Sequence, residues 1–356
     1  MSKVLIFADI HINAHKKSYE RLNDCLCVLE WVFATAKKHK IENIIFAGDL
    51  FQDRQKIDVI TYSKTFDILL KSCTGDFNLY LLLGNNDLWY HDKWDVSSVL
   101  PFSALPSVKV IAKPSTEIID EIPVYFLPYT HDPINHLKQL LASTSDKHLK
   151  TLVGHLACHG ATLNSLYNTY SDVIIEHDGE MVQVGEEVFE GWDKVWLGHY
   201  HCPQKIGKNI EYIGSPLQLT FGEAFQDKHL IIYDLNNADA TYIENTFSPK
   251  HIISTEEDIF KHDIGNNFIR INATITSKTE LIDFKKNIEK KLPSTLEILP
   301  YQKKDEQKQI VDKAKELLQK EDDMLENYVK ITDTGDLDKK LLMNVVKKII
   351  EEAQKS

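Results

Sequence analysis

The feature of this sequence that most restricts its fold is a recurrence: five short apolar, β-prone runs each stop at side chains able to bind a metal ion. Val4 to Phe7 runs into Asp9 and His11, and Ile44 to Phe46 stops at Gly48-Asp49. Leu79 to Leu83 runs into Asn85, Asn86 and Asp87, Leu152-Val153 into His155, and Val195 to Leu197 into His199 and His201. Apolar runs without alternation read as strands buried on both faces, and open α/β sheets bind ligands at the C-terminal ends of such strands. A lone Asp or His at a strand end is ordinarily a cap or a satisfied core group. Its repetition at five strand ends points to one site, centred on Asp49, whose two carboxylate oxygens can bridge two ions.

Between the runs, apolar residues at helical spacing (Leu22, Leu26, Leu29, Phe33) predict a helix over about Ser18–Lys38 lying on a sheet, and a second helix over about Ile57–Ser72. With strands at 3–7, 43–47 and 78–83 these make right-handed β-α-β connections. Further strands are expected at 108–111, 123–127, 151–154, 194–197 and 211–214. A hairpin of 229–234 and 240–245, turning at Asn-Asn-Ala-Asp, closes the first domain. The expected fold class is α/β (α+β), with two layers of sheet enclosed by helices in residues 1–248. A small β-α-β domain follows in 249–301, with strands near 268–273 and 295–299 around a helix at 280–292. Two amphipathic helices occupy 302–356. The last carries the apolar stripe Leu341, Leu342, Val345, Val346 and Ile349 on a segment that would be marginal alone in water, so it is expected to dock on a partner as well as on the first tail helix.

The formal charge of −12 argues against coating nucleic acid by bulk charge. It leaves local phosphate contact open, because bound cations reverse the sign that their carboxylate ligands contribute on paper. Five cysteines without a C-x-x-C pair, and no signal-like start, predict buried thiols and a reducing, cytoplasmic setting. No apolar stretch approaches the roughly 20 residues that cross a bilayer.

Residues two apart on a strand point to one side, so Asp9 with His11, and His199 with His201, can each present two donors together. Imidazole, carboxylate and the amide oxygen of Asn85 in mixture suit Mn²⁺, Fe²⁺ or Zn²⁺ rather than Ca²⁺. Two such ions about 4 Å apart activate a water and stabilise the oxygens of an in-line displacement at phosphorus. His159 reads as a neighbouring or surface residue; His15, His91 and His131 have no identifiable partner.

The motifs D-I-H (Asp9–His11), G-D-L-F (Gly48–Phe51), G-N-N-D (Gly84–Asp87), G-H (Gly154-His155) and G-H-Y-H (Gly198–His201) resemble, in order and spacing, the calcineurin-like metallophosphoesterases. Tyr212 to Thr220, Y-I-G-S-P-L-Q-L-T, resembles the segment after G-H-x-H in the SbcD-like branch, especially its phage-type members. The resemblance implies a four-layer αββα sandwich. It implies one metal on Asp9, His11, Asp49 and His201 and another on Asp49, Asn85, His155 and His199, with Mn²⁺ the expected ion. It further implies exonuclease action on double-stranded DNA, endonuclease action on single strands or hairpins, a capping role for 249–301, and a homodimer within a heterotetramer with an SbcC-like ATPase. The chain has no G-x-x-x-x-G-K-[ST], so ATP dependence belongs to that second chain.

One position departs from the family: a catalytic histidine is expected where this chain has Asn86. Asparagine bonds phosphate but supplies no proton at neutral pH, so general-acid help worth roughly 10²–10⁴-fold is absent. Asn86 reads as an activity-suppressing substitution, introduced or arisen by divergence. Lys16, Lys17, Arg21, Arg54 and Lys56, beside the first two motifs, are the expected DNA contacts. A small-molecule or protein phosphatase or phosphodiesterase, and a non-catalytic DNA-binding scaffold subunit, are the competing functions.

Overall fold

Along the first strand alternate apolar residues face different neighbours, and this period-two division separates the layers of the core. Val4 and Ile6 pack with Val124, Phe126, Val153 and Trp196 between two sheets. Leu5 and Phe7 pack instead with Leu22, Leu26, Leu29 and Phe33 of a helix. The computed structural model describes residues 2–14, 18–90, 93–164, 167–170, 175–176, 179–180, 183–275 and 277–300.

The first sheet holds β1 (Lys3–Phe7), β2 (Asn43–Phe46), β3 (Asn78–Leu82) and β4 (Val108–Ile111), all parallel. The second is built around β6 (Ile122–Leu127), β7 (Thr151–His155), β8 (Lys194–Gly198) and β10 (Ile210–Tyr212), also parallel. It is edged by the antiparallel strands β5 (Ser115–Ile119) and β9 (Gln204–Ile206). The hairpin β11 (His229–Asp234) and β12 (Ala240–Glu244) extends the first sheet antiparallel to β1, giving the order β12-β11-β1-β2-β3-β4 against β9-β10-β8-β7-β6-β5.

Helices α1 (Tyr19–His39) and α2 (Val59–Ser72) cover the outer face of the first sheet. α3 (Pro133–Ala142) covers the second through Leu137 and Leu140. Each fully buried large apolar side chain contributes about 1.5–3 kcal/mol, which fixes the register of strands whose two faces are both covered. Both long helices start where side chains supply a cap: Ser18 Oγ accepts from the Arg21 N–H at 3.3 Å, and Asp58 from the Thr61 N–H at 3.0 Å.

The four-layer α/β expectation holds. α3 and β5 went unread in the sequence, as did β13 (His251–Thr255), which lies in a three-stranded sheet beside β14 (Phe268–Ala273) and β15 (Thr295–Pro300). The expectation of uniformly buried thiols is corrected at Cys27, exposed on α1 while Cys25, Cys73, Cys158 and Cys202 are buried. The chain divides into two compact units, residues 1–271 with 282–297, and residues 272–281 with 298–356. Both large sheets belong to the first. The stripe Leu341, Leu342, Val345, Val346 and Ile349 lies outside the described residues. No described helix is long and apolar enough to cross a membrane.

Candidate metal centre

The strand ends reach the site through sharp backbone turns. Asp9, His11, Asp49 and His199 all adopt positive φ, at 51°, 45°, 62° and 103°. Each such residue without a glycine's freedom costs on the order of 1–3 kcal/mol, so the surroundings must over-determine the geometry. They do so by pairing the loops: Asp9 N–H donates to Gly48 O at 2.9 Å, His11 N–H to Asp49 O at 3.2 Å and Ile12 N–H to Leu50 O at 2.8 Å. The glycine before the third-motif ligands follows from crowding, since a Cβ on Gly84 would stand 2.2 Å from Asp49 Oδ1.

All seven candidate ligands meet in this place. Asp9, His11 and His201 form one group whose donor atoms lie within 4.8 Å of one another, and Asp49, His155 and His199 form a second. Asp49 Oδ2 stands between them, 3.6 Å from His11 Nε2 and 3.5 Å from His155 Nε2. Asn85 Oδ1 joins the second group, 3.0 Å from His155 Nε2 and 2.9 Å from His199 Nδ1. His11 Nε2 and His201 Nε2 face each other at 3.0 Å. Two imidazole lone pairs directed at one another repel unless a proton or a cation stands between them, so the donor set fits divalent metal ions.

The electrostatics suit the same occupant. Burial, with repulsion from neighbouring imidazoles, pushes His11 and His199 down to about 3, leaving both neutral at neutral pH. For Asp49 burial would raise the carboxyl, but His155, His11 and His199 outweigh it and hold it below the usual range. Burial likewise opposes the charge on His155, yet Asp49 and Asp9 carry it up to about 9. The carboxylates thus draw a positive charge into the pocket. His155 Nδ1 is 2.7 Å from the carbonyl of Ala47, which assigns the proton to that nitrogen and turns Nε2 to the site.

Asn86 is placed differently from the expectation of a phosphate-facing side chain alone. Its backbone N–H donates to Asp49 Oδ1 at 2.8 Å and its Nδ2 to Asp49 Oδ2 at 3.2 Å, so the amide holds the central carboxylate. Sequence reasoning missed three supports. Asp87, fully buried, accepts from the N–H groups of Asp49, Leu50 and Gly84 at 2.9, 3.0 and 2.9 Å, locking the second and third motifs together. Tyr129 places its ring 6.5 Å from His155 and 6.4 Å from His199. Glu223 lies 3.2 Å from His201 Nδ1. Only the D of G-N-N-D carried a local signal for any of these.

Of the expected DNA contacts, Lys16 and Lys17 lie outside the described residues, as do His15 and His91. Arg21 is a correction: it is 5 % exposed, paired with Asp24 at 2.7 Å, bonded to Asn266 at 3.1 Å and stacked over Phe268. Its helix turns it onto residues 266–268 and away from solvent. Arg54 is half-buried and Lys56 exposed; His159 is exposed, and the ring of His131 lies edge-on to Tyr129.

The chain matches the calcineurin-like phosphoesterase family over residues 2–203. It is 24 % identical over 327 residues to exonuclease subunit 1 of Enterobacteria phage T4, covering 89 % of each chain. It is 26 % identical over 264 residues to the SbcD component of nuclease SbcCD from Staphylococcus saprophyticus, covering 67 % of each. To the SbcD component of nuclease SbcCD from Escherichia coli K12 it is 24 % identical over 284 residues, 69 % of this chain and 68 % of the relative.

Proposed function

We propose, since the chain belongs to the calcineurin-like phosphoesterase family, that it is a two-metal DNA nuclease subunit working with an SbcC-like ATPase. The observation that carries this reading is the convergence of seven candidate ligands from both sheets, with Asp49 between the two groups, together with relatives named as exonuclease and SbcCD nuclease subunits. One ion would be held by Asp9, His11, Asp49 and His201, and the other by Asp49, Asn85, His155 and His199; Mn²⁺ is the ion we assign. When bound, the pair supplies an activated water and polarises the phosphoryl oxygen.

The chain's own residues set the rest. Asp49, buried and ionised, is the shared carboxylate. Ala47 and Glu223 orient two of the imidazoles. Asn86 has no proton to give the departing oxygen at neutral pH, so turnover is reduced in this form. Residues 1–248 are the nuclease domain, 249–301 position DNA as a cap, and 302–356 bind the ATPase through the stripe at Leu341–Ile349. Arg54 and Lys56 touch DNA. The setting is the cytoplasm, of the host if the chain is phage-encoded, and the nuclease works as a homodimer.

The test is Mn²⁺-dependent cleavage of end-labelled duplex and hairpin DNA. Slow cutting accelerated by Asn86→His is expected. Hydrolysis of a small aryl phosphodiester without DNA cleavage would move the function to the small-substrate alternative, and DNA binding without cleavage in both forms would make the chain a scaffold. Truncation after Gln302 is expected to abolish co-purification with an SbcC-like ATPase while leaving Mn²⁺ binding intact; a retained complex places the interface elsewhere.

A further inference from the structure

We infer that Glu223, held by Lys228 and clamped from outside by residues 251–270, is the positioning residue for His201 and thereby for the ion that Asp9, His11 and His201 share. The inference rests on the two-metal reading above. Glu223 is 2 % exposed, and its Oε1 lies 3.2 Å from His201 Nδ1. That contact engages the far ring nitrogen and leaves Nε2 facing the pocket, as outer carboxylates do for metal-binding imidazoles. Its Oε2 accepts from Lys228 Nζ at 2.7 Å, Ser215 Oγ at 2.9 Å and Leu219 N–H at 3.2 Å. Lys228 in turn donates to the backbone carbonyl of His201 at 2.8 Å. One ion pair therefore holds His201 by ring and by backbone.

A Glu-Lys pair this buried is a poor stability device, because apolar residues of similar volume commonly serve as well or better. Its placement against a metal ligand accounts for it.

The turn bearing Glu223 is itself anchored. Phe221 begins the short 3₁₀ turn Phe221–Glu223, with its ring edge-on to His251 at 4.9 Å and under the Arg270 guanidinium at 3.9 Å. His251 stacks flat on Phe268 at 4.3 Å, and Phe268 is covered by Arg21 of α1 at 4.7 Å. The His251 N–H also donates to Gln218 Oε1 at 2.6 Å. The segment following the hairpin thus sets the angle of a metal ligand. Arg21 is buried because it completes that stack.

Calorimetric titration of the full chain with Mn²⁺, without DNA, separates this role from mere stability. Two binding events are expected for the unsubstituted chain. Glu223→Gln is expected to weaken one of them by about 10- to 100-fold and to spare the other, with DNA cleavage recovering at excess Mn²⁺. Phe221→Leu, which leaves the ion pair in place, shifts the same event less. A folded Glu223→Gln protein with both affinities unaltered would overturn the positioning role, and an unaltered Phe221→Leu would overturn the outer clamp. If Glu223→Gln fails to fold, Phe221→Leu alone decides. An unsubstituted chain that takes up no Mn²⁺ overturns the two-metal reading and this inference together; two events with unaltered variants overturn this inference alone.

Discussion

The first sheet brings oxygen donors to the site, Asp9, Asp49 and Asn85, together with His11; the second brings only imidazoles, His155, His199 and His201. Their supports are opposite in kind. Carboxylates are held by backbone donors: both oxygens of Asp9 lie 3.0 Å from the His199 N–H, and Asp49 Oδ1 accepts from the Asn86 N–H. Two of the imidazoles are aimed by acceptors on the far nitrogen, Ala47 O for His155 and Glu223 for His201. Asp9 on one sheet is held by the other, and so is His155. Neither sheet can orient its own donors fully, so the pocket is braced across the sandwich rather than built on one half of it.

Four experiments test that contrast. The largest effect is expected from Asp49→Ala, which removes a carboxylate that lies within 3.6 Å of an imidazole in each group. Both Mn²⁺ binding events should disappear in calorimetry, and loss of only one would assign Asp49 to a single side. Asn86→His is expected to raise Mn²⁺-dependent cleavage by roughly 10²-fold, about 2.7 kcal/mol of barrier, with DNA affinity in Ca²⁺ little changed. If the asparagine form already cuts as fast, another group protonates the leaving oxygen. Asp87→Asn leaves one oxygen to serve three N–H donors and should cost about 2 kcal/mol of folding free energy, read from denaturant unfolding of the metal-free chain. An unchanged midpoint would mean that the oxygen-donor loops are held by their mutual pairing alone. The smallest effect belongs to Lys56→Ala, which should weaken DNA binding evenly across sequences and lower the salt slope by about 1. An unaltered slope removes Lys56 from the interface.

What could be read from the sequence was local. An apolar run and a donor lie within ten residues of one another, so the five strand ends with their seven ligands were legible, as were α1, α2 and the β11-β12 hairpin. The supports were not, because their meaning comes from tertiary placement. Nothing near Glu223 or Lys228 marks them as partners of His201, and Arg21, beside Glu20 in the first turn of a helix, has the sequence context of a solvated cation until Phe268 and Asn266 cover it. β13 escaped notice for the same reason, since its residues are buried by Phe268 and Gln218, which are distant in sequence.

The Asp9 to His199 contact bears on how the protein is made. The two partners are 190 residues apart, and the chain between them supplies three of the six strands of the first sheet and four of the six of the second. Contacts of such separation close late, after the intervening strands have paired. During N-to-C synthesis the first three motifs emerge well before β7 and β8 exist, so an unfinished chain carries half a ligand set with no imidazole wall opposite. A chain that ends before β7 and β8 therefore holds only Asp9, His11, Asp49 and Asn85 of the seven candidate ligands, and the candidate centre is complete only once the second sheet is in place.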